Sequence, residues 1–106
     1  MSLSTHVLNS VTGRPVAGMP VLLEQRGDDG WRPIEQRTTS EDGRIADLAP
    51  DLGAGIYRLT FDVEQVFAEN TFYPEVAIAF RVRDASQHYH VPVLLSPYAY
   101  STYRGS

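Results

Sequence analysis

The sequence contains no cysteine in its 106 residues. Disulfides and thiolate metal sites are therefore excluded, and the redox compartment is left open. Nor does it contain a long apolar run. Its apolar stretches, such as Val91 to Leu95 interrupted by Pro92, are far too short to span a bilayer. There is no basic run or stripe: nine basic side chains face thirteen acidic ones, for a formal charge of −4. That balance argues against nucleic acid or an anionic membrane as a partner. No strand–Gly-x-Ser-x-Gly–helix elbow is present to carry a serine nucleophile. Gly53-Ala54-Gly55 precedes a strand pattern, which is the wrong context for a phosphate-binding loop. Repeats, linkers and low-complexity tracts are missing too, so residues 1–106 are expected to form a single domain. Met1-Ser2-Leu3 enters the first strand pattern without a basic segment or an apolar signal core, and Arg104-Gly105-Ser106 is not a peroxisomal address. A cytoplasmic location is expected.

What the sequence does contain is alternation. The hydrophobic fraction of 42% against 21% charged is ordinary for a globular protein. Residues 3–10 separate Leu3, Thr5 and Val7 from Ser4, His6 and Leu8, as a strand would. Val21 to Arg26 and Trp31 to Thr39 flank Gly27-Asp28-Asp29-Gly30, which reads as a hairpin loop. Arg44 follows the turn Ser40-Glu41-Asp42-Gly43 and opens the short apolar segment Ile45 to Leu48. In Ile56 to Val63 the residues Tyr57, Leu59, Phe61 and Val63 point inward. Asp62 is placed to cap a short helix over residues 63–69, with Val63, Val66 and Phe67 on one face. Val76, Ile78, Phe80 and Val82 mark another strand, and Asp84-Ala85-Ser86 a turn. Seven to eight short strands with one short helix predict an all-β, two-sheet sandwich. A chain of this size buries a modest core, so association with other copies would help it.

The last nineteen residues are the most informative. His88 to Leu95, a Ser96-Pro97 break and an aromatic-rich run to Tyr103 read as two strands joined by a tight turn. His88, His90, Pro92 and Leu94 share one side, and Tyr89, Val91 and Val93 the other. Imidazoles on such a strand cost free energy unless they are hydrogen-bonded or open to a cleft.

The segment from His88 to Pro97 together with Tyr103-Arg104-Gly105-Ser106 resembles the 5-hydroxyisourate hydrolases, the enzymatic relatives of transthyretin. Leu3 to Asn9, Gly13-Arg14-Pro15 and Asp42-Gly43-Arg44 are similar to that family's opening strand, first turn and internal motif, so the resemblance spans essentially the whole chain. Val16 stands where alanine is common in the family, a difference of packing. The resemblance implies a transthyretin-like sandwich of two four-stranded sheets with the helix after the fifth strand. It also implies a homotetramer built by edge-strand pairing and face-to-face docking.

For activity, the resemblance implies hydrolysis of 5-hydroxyisourate, with His6, Arg44 and His90 catalytic and also contacting substrate. In the transthyretin arrangement the first and last strands are neighbours, so His6 and His90 can face one cleft although eighty-four positions separate them. The two histidines would activate water and handle protons, without a preference as to which is the base. Arg44, by itself an ordinary turn residue, would bind a carbonyl-rich heterocycle through its planar fork. Tyr103 and Ser106 would shape the site and contact substrate, and His88 would orient or serve structure. Zinc on His6, His88 and His90 is a weaker reading, because no further carboxylate or cysteine ligand is placed and the family requires no metal; no metal or cofactor is expected. Two other classes stay open on the residues alone. One is a transthyretin-type binding module for a small aromatic ligand, which would carry lysine in place of His6 and lack the Tyr-Arg-Gly-Ser ending. The other is a purely structural sandwich.

Overall fold

In a computed structural model, which describes residues 2–106, eight strands and one short helix follow the order read from the sequence. They are β1 (Ser2–Asn9), β2 (Pro20–Gly27), β3 (Gly30–Thr38), β4 (Arg44–Ile45), β5 (Gly55–Phe61), α1 (Glu64–Phe67), β6 (Val76–Val82), β7 (His88–Ser96) and β8 (Ala99–Thr102). One sheet has the order β4-β1-β7-β8 and the other β3-β2-β5-β6. The two inner faces bury their alternating apolar residues against each other. Leu3, Val7, Val91, Val93 and Leu95 come from the first sheet, and Val21, Leu23, Tyr57, Leu59, Phe61, Val76 and Val82 from the second. This is the sandwich of two four-stranded sheets, with the helix after the fifth strand, that the sequence led us to expect.

Topology adds what periodicity did not carry. β1 pairs in parallel with β7, the penultimate strand, and not with the last strand, which lies at the sheet edge. The strand bearing His90 is therefore central. Its register sets Ser2 against His88, Ser4 against His90 and His6 against Pro92. On the other side of β1, His6 is paired with Arg44 of β4.

Two local readings need correction. Asp62 does not cap the helix: no side-chain cap bond exists, and Val63 occupies the cap position in helical geometry. The first helical donor is already satisfied, because the Glu64 N–H donates to the Pro74 carbonyl at 2.9 Å. The helix is shorter than residues 63–69, and positive φ at Ala68 stops it. Val63 is buried as expected, but Val66 is exposed. The apolar segment after Arg44 is also strand only for Arg44 and Ile45; Asp47, with φ of 54°, turns the chain away while Leu48 still enters the core.

Candidate active site on the outer face of one sheet

Alternation along β1 and β7 sends Leu3, Thr5, Val7, Tyr89, Val91 and Val93 into the core. The same alternation leaves Ser2, Ser4, His6, His88 and His90 on the outer face. Cross-strand register then makes rows. Arg44, His6 and Pro92 form one; Ser4 and His90 form the next; Ser2 and His88 the third. Arg44, His6 and His90 thus stand on three adjacent strands of one sheet. His90 lies one diagonal step from His6, a spacing of about 7–8 Å between backbones that long side chains can close.

Each group is held. The His6 Nε2–H donates to the Asp42 carbonyl at 2.9 Å, because a carbonyl can only accept. Neutral His6 therefore keeps its Nδ1 as the free acceptor. The turn that supplies that carbonyl is pressed onto β1: the Val7 N–H donates to the Gly43 carbonyl at 2.8 Å. Gly43 has φ of 77°, and a Cβ there would stand 2.5 Å from the Val7 carbonyl oxygen, so only glycine fits. Arg44 Nε lies 3.6 Å from the Asp42 carboxylate, and its side chain is about half exposed (54%). The Ser40 hydroxyl bonds the same carboxylate and, with Arg44 beside it, holds the Asp42 carboxyl below its usual range. Among the described residues the other guanidinium nitrogens of Arg44 have no hydrogen-bond partner.

His90 is part-buried, with Nδ1 sharing a hydrogen bond of 2.8 Å with the Ser4 hydroxyl. Burial pushes its pKa below the usual imidazole value; the Arg44 guanidinium and the neighbouring imidazoles of His88 and His6 act in the same direction, and a backbone hydrogen bond of Ser4 opposes them. Its surroundings accordingly favour the neutral form.

The chain end packs on His90. Gly105 bridges to His90 in register with the β7–β8 ladder, its N–H donating to the His90 carbonyl at 2.8 Å. Between Thr102 and Gly105 the ladder lapses, where Pro92 has no N–H to offer. The His90 ring fills the space where a side chain at this position would go, since a Cβ at Gly105 would stand 2.5 Å from its Cδ2. Arg104 anchors this tail, its guanidinium 4.5 Å over the Tyr89 ring and 3.0 Å from the Gln87 side-chain oxygen. Tyr103 is exposed and borders a groove of about 340 Å³ with His90, Tyr89 and residues 78–81 of β6. His6 and Arg44 do not line that groove. Ser106 is exposed beyond Gly105, with no recorded contact to the three site residues. Among the described residues no group of three or more His, Cys, Asp or Glu is arranged to hold a metal ion.

Sequence reasoning missed the supports. Ser4, two positions before His6, could have been found as a hydroxyl on the same strand face. Asp42 was read only as part of a turn motif, and its backbone carbonyl gives no sequence signal.

Comparison with known proteins agrees with this fold. A model of the HIUase/Transthyretin family matches residues 3–105. The 5-hydroxyisourate hydrolase of Salmonella dublin is 46% identical over 109 residues, covering 98% of this chain and 80% of that protein. That of Deinococcus radiodurans is 40% identical, covering 98% of this chain and 95% of its own. Among solved structures, Klebsiella pneumoniae 5-hydroxyisourate hydrolase superposes with a TM-score of 0.86 at 34% identity, with both chains fully covered. Sea bream transthyretin in complex with thyroxine gives 0.88 at 26% identity, covering 97% of this chain and 93% of its own.

Proposed function

Because the chain belongs to the HIUase/Transthyretin family, we propose that it hydrolyses 5-hydroxyisourate to 2-oxo-4-hydroxy-4-carboxy-5-ureidoimidazoline, a step of urate breakdown, with residues 1–106 acting as one domain. The observation that carries the reading is the outer-face cluster of a guanidinium and two imidazoles, Arg44, His6 and His90, contributed by three adjacent strands. In the reaction, water oxygen bonds to a ring carbonyl carbon and gives one proton to an imidazole. The ring C–N bond then breaks, and the departing nitrogen takes a proton back.

Both histidines suit this exchange. Neutral His6 offers Nδ1, and the imidazolium formed there stays bonded to the Asp42 carbonyl. Neutral His90 offers Nε2, since Nδ1 is engaged by Ser4. The remaining donors of Arg44 bind the heterocycle and stabilise negative charge developing on the attacked oxygen. Tyr103 and Ser106 are assigned to shaping the site and contacting substrate from the chain end. No metal or other cofactor takes part, so exhaustive chelation leaves the rate unchanged.

The same reading includes a homotetramer working in the cytoplasm. Sheet edges β6 and β8 and the exposed aromatic residues Phe72, Tyr98, Tyr100 and Tyr103 support self-association. Sedimentation velocity reports the assembly, and a monomer at micromolar concentration refutes it. Ultraviolet absorbance of freshly generated 5-hydroxyisourate, with and without protein, tests the activity. Decay no faster than the uncatalysed rate overturns the hydrolase in favour of a binding module.

A further inference from the structure

Ser4 belongs to no part of the chemistry above, yet its hydroxyl lies between two imidazoles. It is 2.8 Å from His90 Nδ1 and 3.3 Å from His88 Nε2. His88 Nδ1 in turn meets the Ser2 hydroxyl at 2.5 Å. The two rings are nearly parallel, 14° apart with centroids separated by 6.4 Å. Ser2, His88, Ser4 and His90 therefore form one unbranched hydrogen-bonded file, running from the exposed His88 to the part-buried His90. It arises because β1 and β7 are parallel and in register, so hydroxyls and imidazoles alternate across the seam.

We propose that Ser4 is a positioning residue for His90, and that the file Ser4–His88–Ser2 carries protons between His90 and solvent. The proposal rests on the hydrolase reading only for its kinetic consequences. Every group in the file can act as both donor and acceptor. In one arrangement His90 Nδ1–H donates to Ser4, Ser4 O–H to His88 Nε2, and His88 Nδ1–H to Ser2. His90 Nε2 is then a free lone pair. In the reverse arrangement Ser2 donates to His88, His88 to Ser4 and Ser4 to His90, and His90 Nε2 carries the proton.

The two arrangements hold the same number of protons and no net charge. Arrival of a proton at His90 Nε2 moves the Nδ1 proton to Ser4. The Ser4 proton passes to His88, the His88 proton to Ser2, and one proton leaves Ser2 to water. His90 is thereby reset between accepting and donating without an imidazolium being formed in a part-buried place, where burial disfavours it. The first arrangement is the resting one. Among the described residues Nε2 has no protein acceptor, and an unpaired acceptor is tolerated better than an unpaired N–H. Gly105 packs on the ring at Cδ2, and among the described residues Ser4 is the only side chain bonded to its Nδ1.

The chain has three histidines, so every imidazole can be resolved by long-range proton–nitrogen NMR of nitrogen-15-labelled protein. His6→Gln, His88→Gln and His90→Gln spectra supply the assignments. The expected result is His90 as a single Nδ1–H tautomer in the native protein. Ser4→Thr, which keeps the hydroxyl, retains it; Ser4→Ala shifts it toward Nε2–H. With 5-hydroxyisourate, Ser4→Ala lowers kcat about 10–100-fold, the range for removing the orienting partner of a functional imidazole, with KM little changed. Ser4→Thr restores most of the rate. His88→Gln keeps the His90 tautomer but lowers kcat. A His90 tautomer that is Nε2–H in the native protein, or that ignores Ser4→Ala, overturns the proposal whether or not the protein is a hydrolase. An unchanged kcat in Ser4→Ala, with active native enzyme, overturns it as well. Native protein inert toward 5-hydroxyisourate refutes the hydrolase reading instead, while the tautomer measurement still decides the role of Ser4.

Discussion

Changing Gly105 to alanine isolates the contact between the chain end and His90. The added Cβ would sit 2.5 Å from His90 Cδ2, 3.2 Å from Cγ and 3.4 Å from Cβ. Carbon atoms prefer separations of about 3.5–4.0 Å, so the closest contact falls short by about 1 Å. Either the ring or the tail must move by that amount. The ring is held at Nδ1 by Ser4, and the tail by the Gly105 N–H to His90 carbonyl bond and by Arg104 over Tyr89. If the ring yields, Nε2 is displaced by about as much as the clash. A misplacement of 1 Å at a reacting group costs on the order of 10²-fold in rate. If the tail yields, one exposed backbone hydrogen bond is lost, worth about 0.5–1.5 kcal/mol, and the cleft opens beside His90. Either way hydrolysis falls strongly while the fold survives, with Tm down by no more than about 10 °C. Initial rates with fresh 5-hydroxyisourate and thermal melts are compared with the native protein and with Gly53→Ala, where a Cβ meets nothing within 4 Å. Gly105→Ala with full activity refutes the packing argument. A large loss of activity in Gly53→Ala would show that the assay responds to glycine replacement in general.

Replacing His6 or His90 by asparagine is expected to lower kcat/KM by about 10²–10⁴-fold with circular dichroism and oligomer size unchanged; near-normal turnover in both removes them from the chemistry. Arg44→Lys keeps the charge and loses the planar fork, so impaired kinetics are expected, and native constants would make Arg44 a mere turn residue. Deleting Tyr103–Ser106 removes both Gly105 and the Arg104 anchor; a normal melt with strongly reduced hydrolysis is expected, and a full rate would exclude the tail from the site. For pH, the His90 pKa is lowered from 6.5, chiefly by burial, so the unfolded chain binds that proton more readily than the folded one. Its contribution to stability is complete above pH 6.5 and is lost as pH falls from there toward the folded pKa. The acid limb of kcat/KM should likewise lie below pH 6.5, and a limb above it contradicts a neutral His90.

Periodicity along single strands was enough to assign faces. Leu3, Thr5 and Val7 go inward while Ser4 and His6 go outward, and Tyr57, Leu59 and Phe61 are buried, all as alternation requires. The hairpin at Gly27–Gly30 and the turn before Arg44 were legible because glycine and acidic turn residues act locally. Sequence also placed His88 and His90 on one side of their strand. Where local signals competed with long-range partners they misled: Asp62 looked like a cap, but the Pro74 carbonyl already takes the Glu64 donor. Only the tertiary structure decided which strands are neighbours. The parallel pairing of β1 with β7 brings Ser4 to His90 across 86 positions, and the turn at Gly43 delivers a carbonyl to His6. Alternation sets direction within a strand, whereas register between strands follows from how two whole sheets bury their inner faces, and no short stretch of residues carries that information.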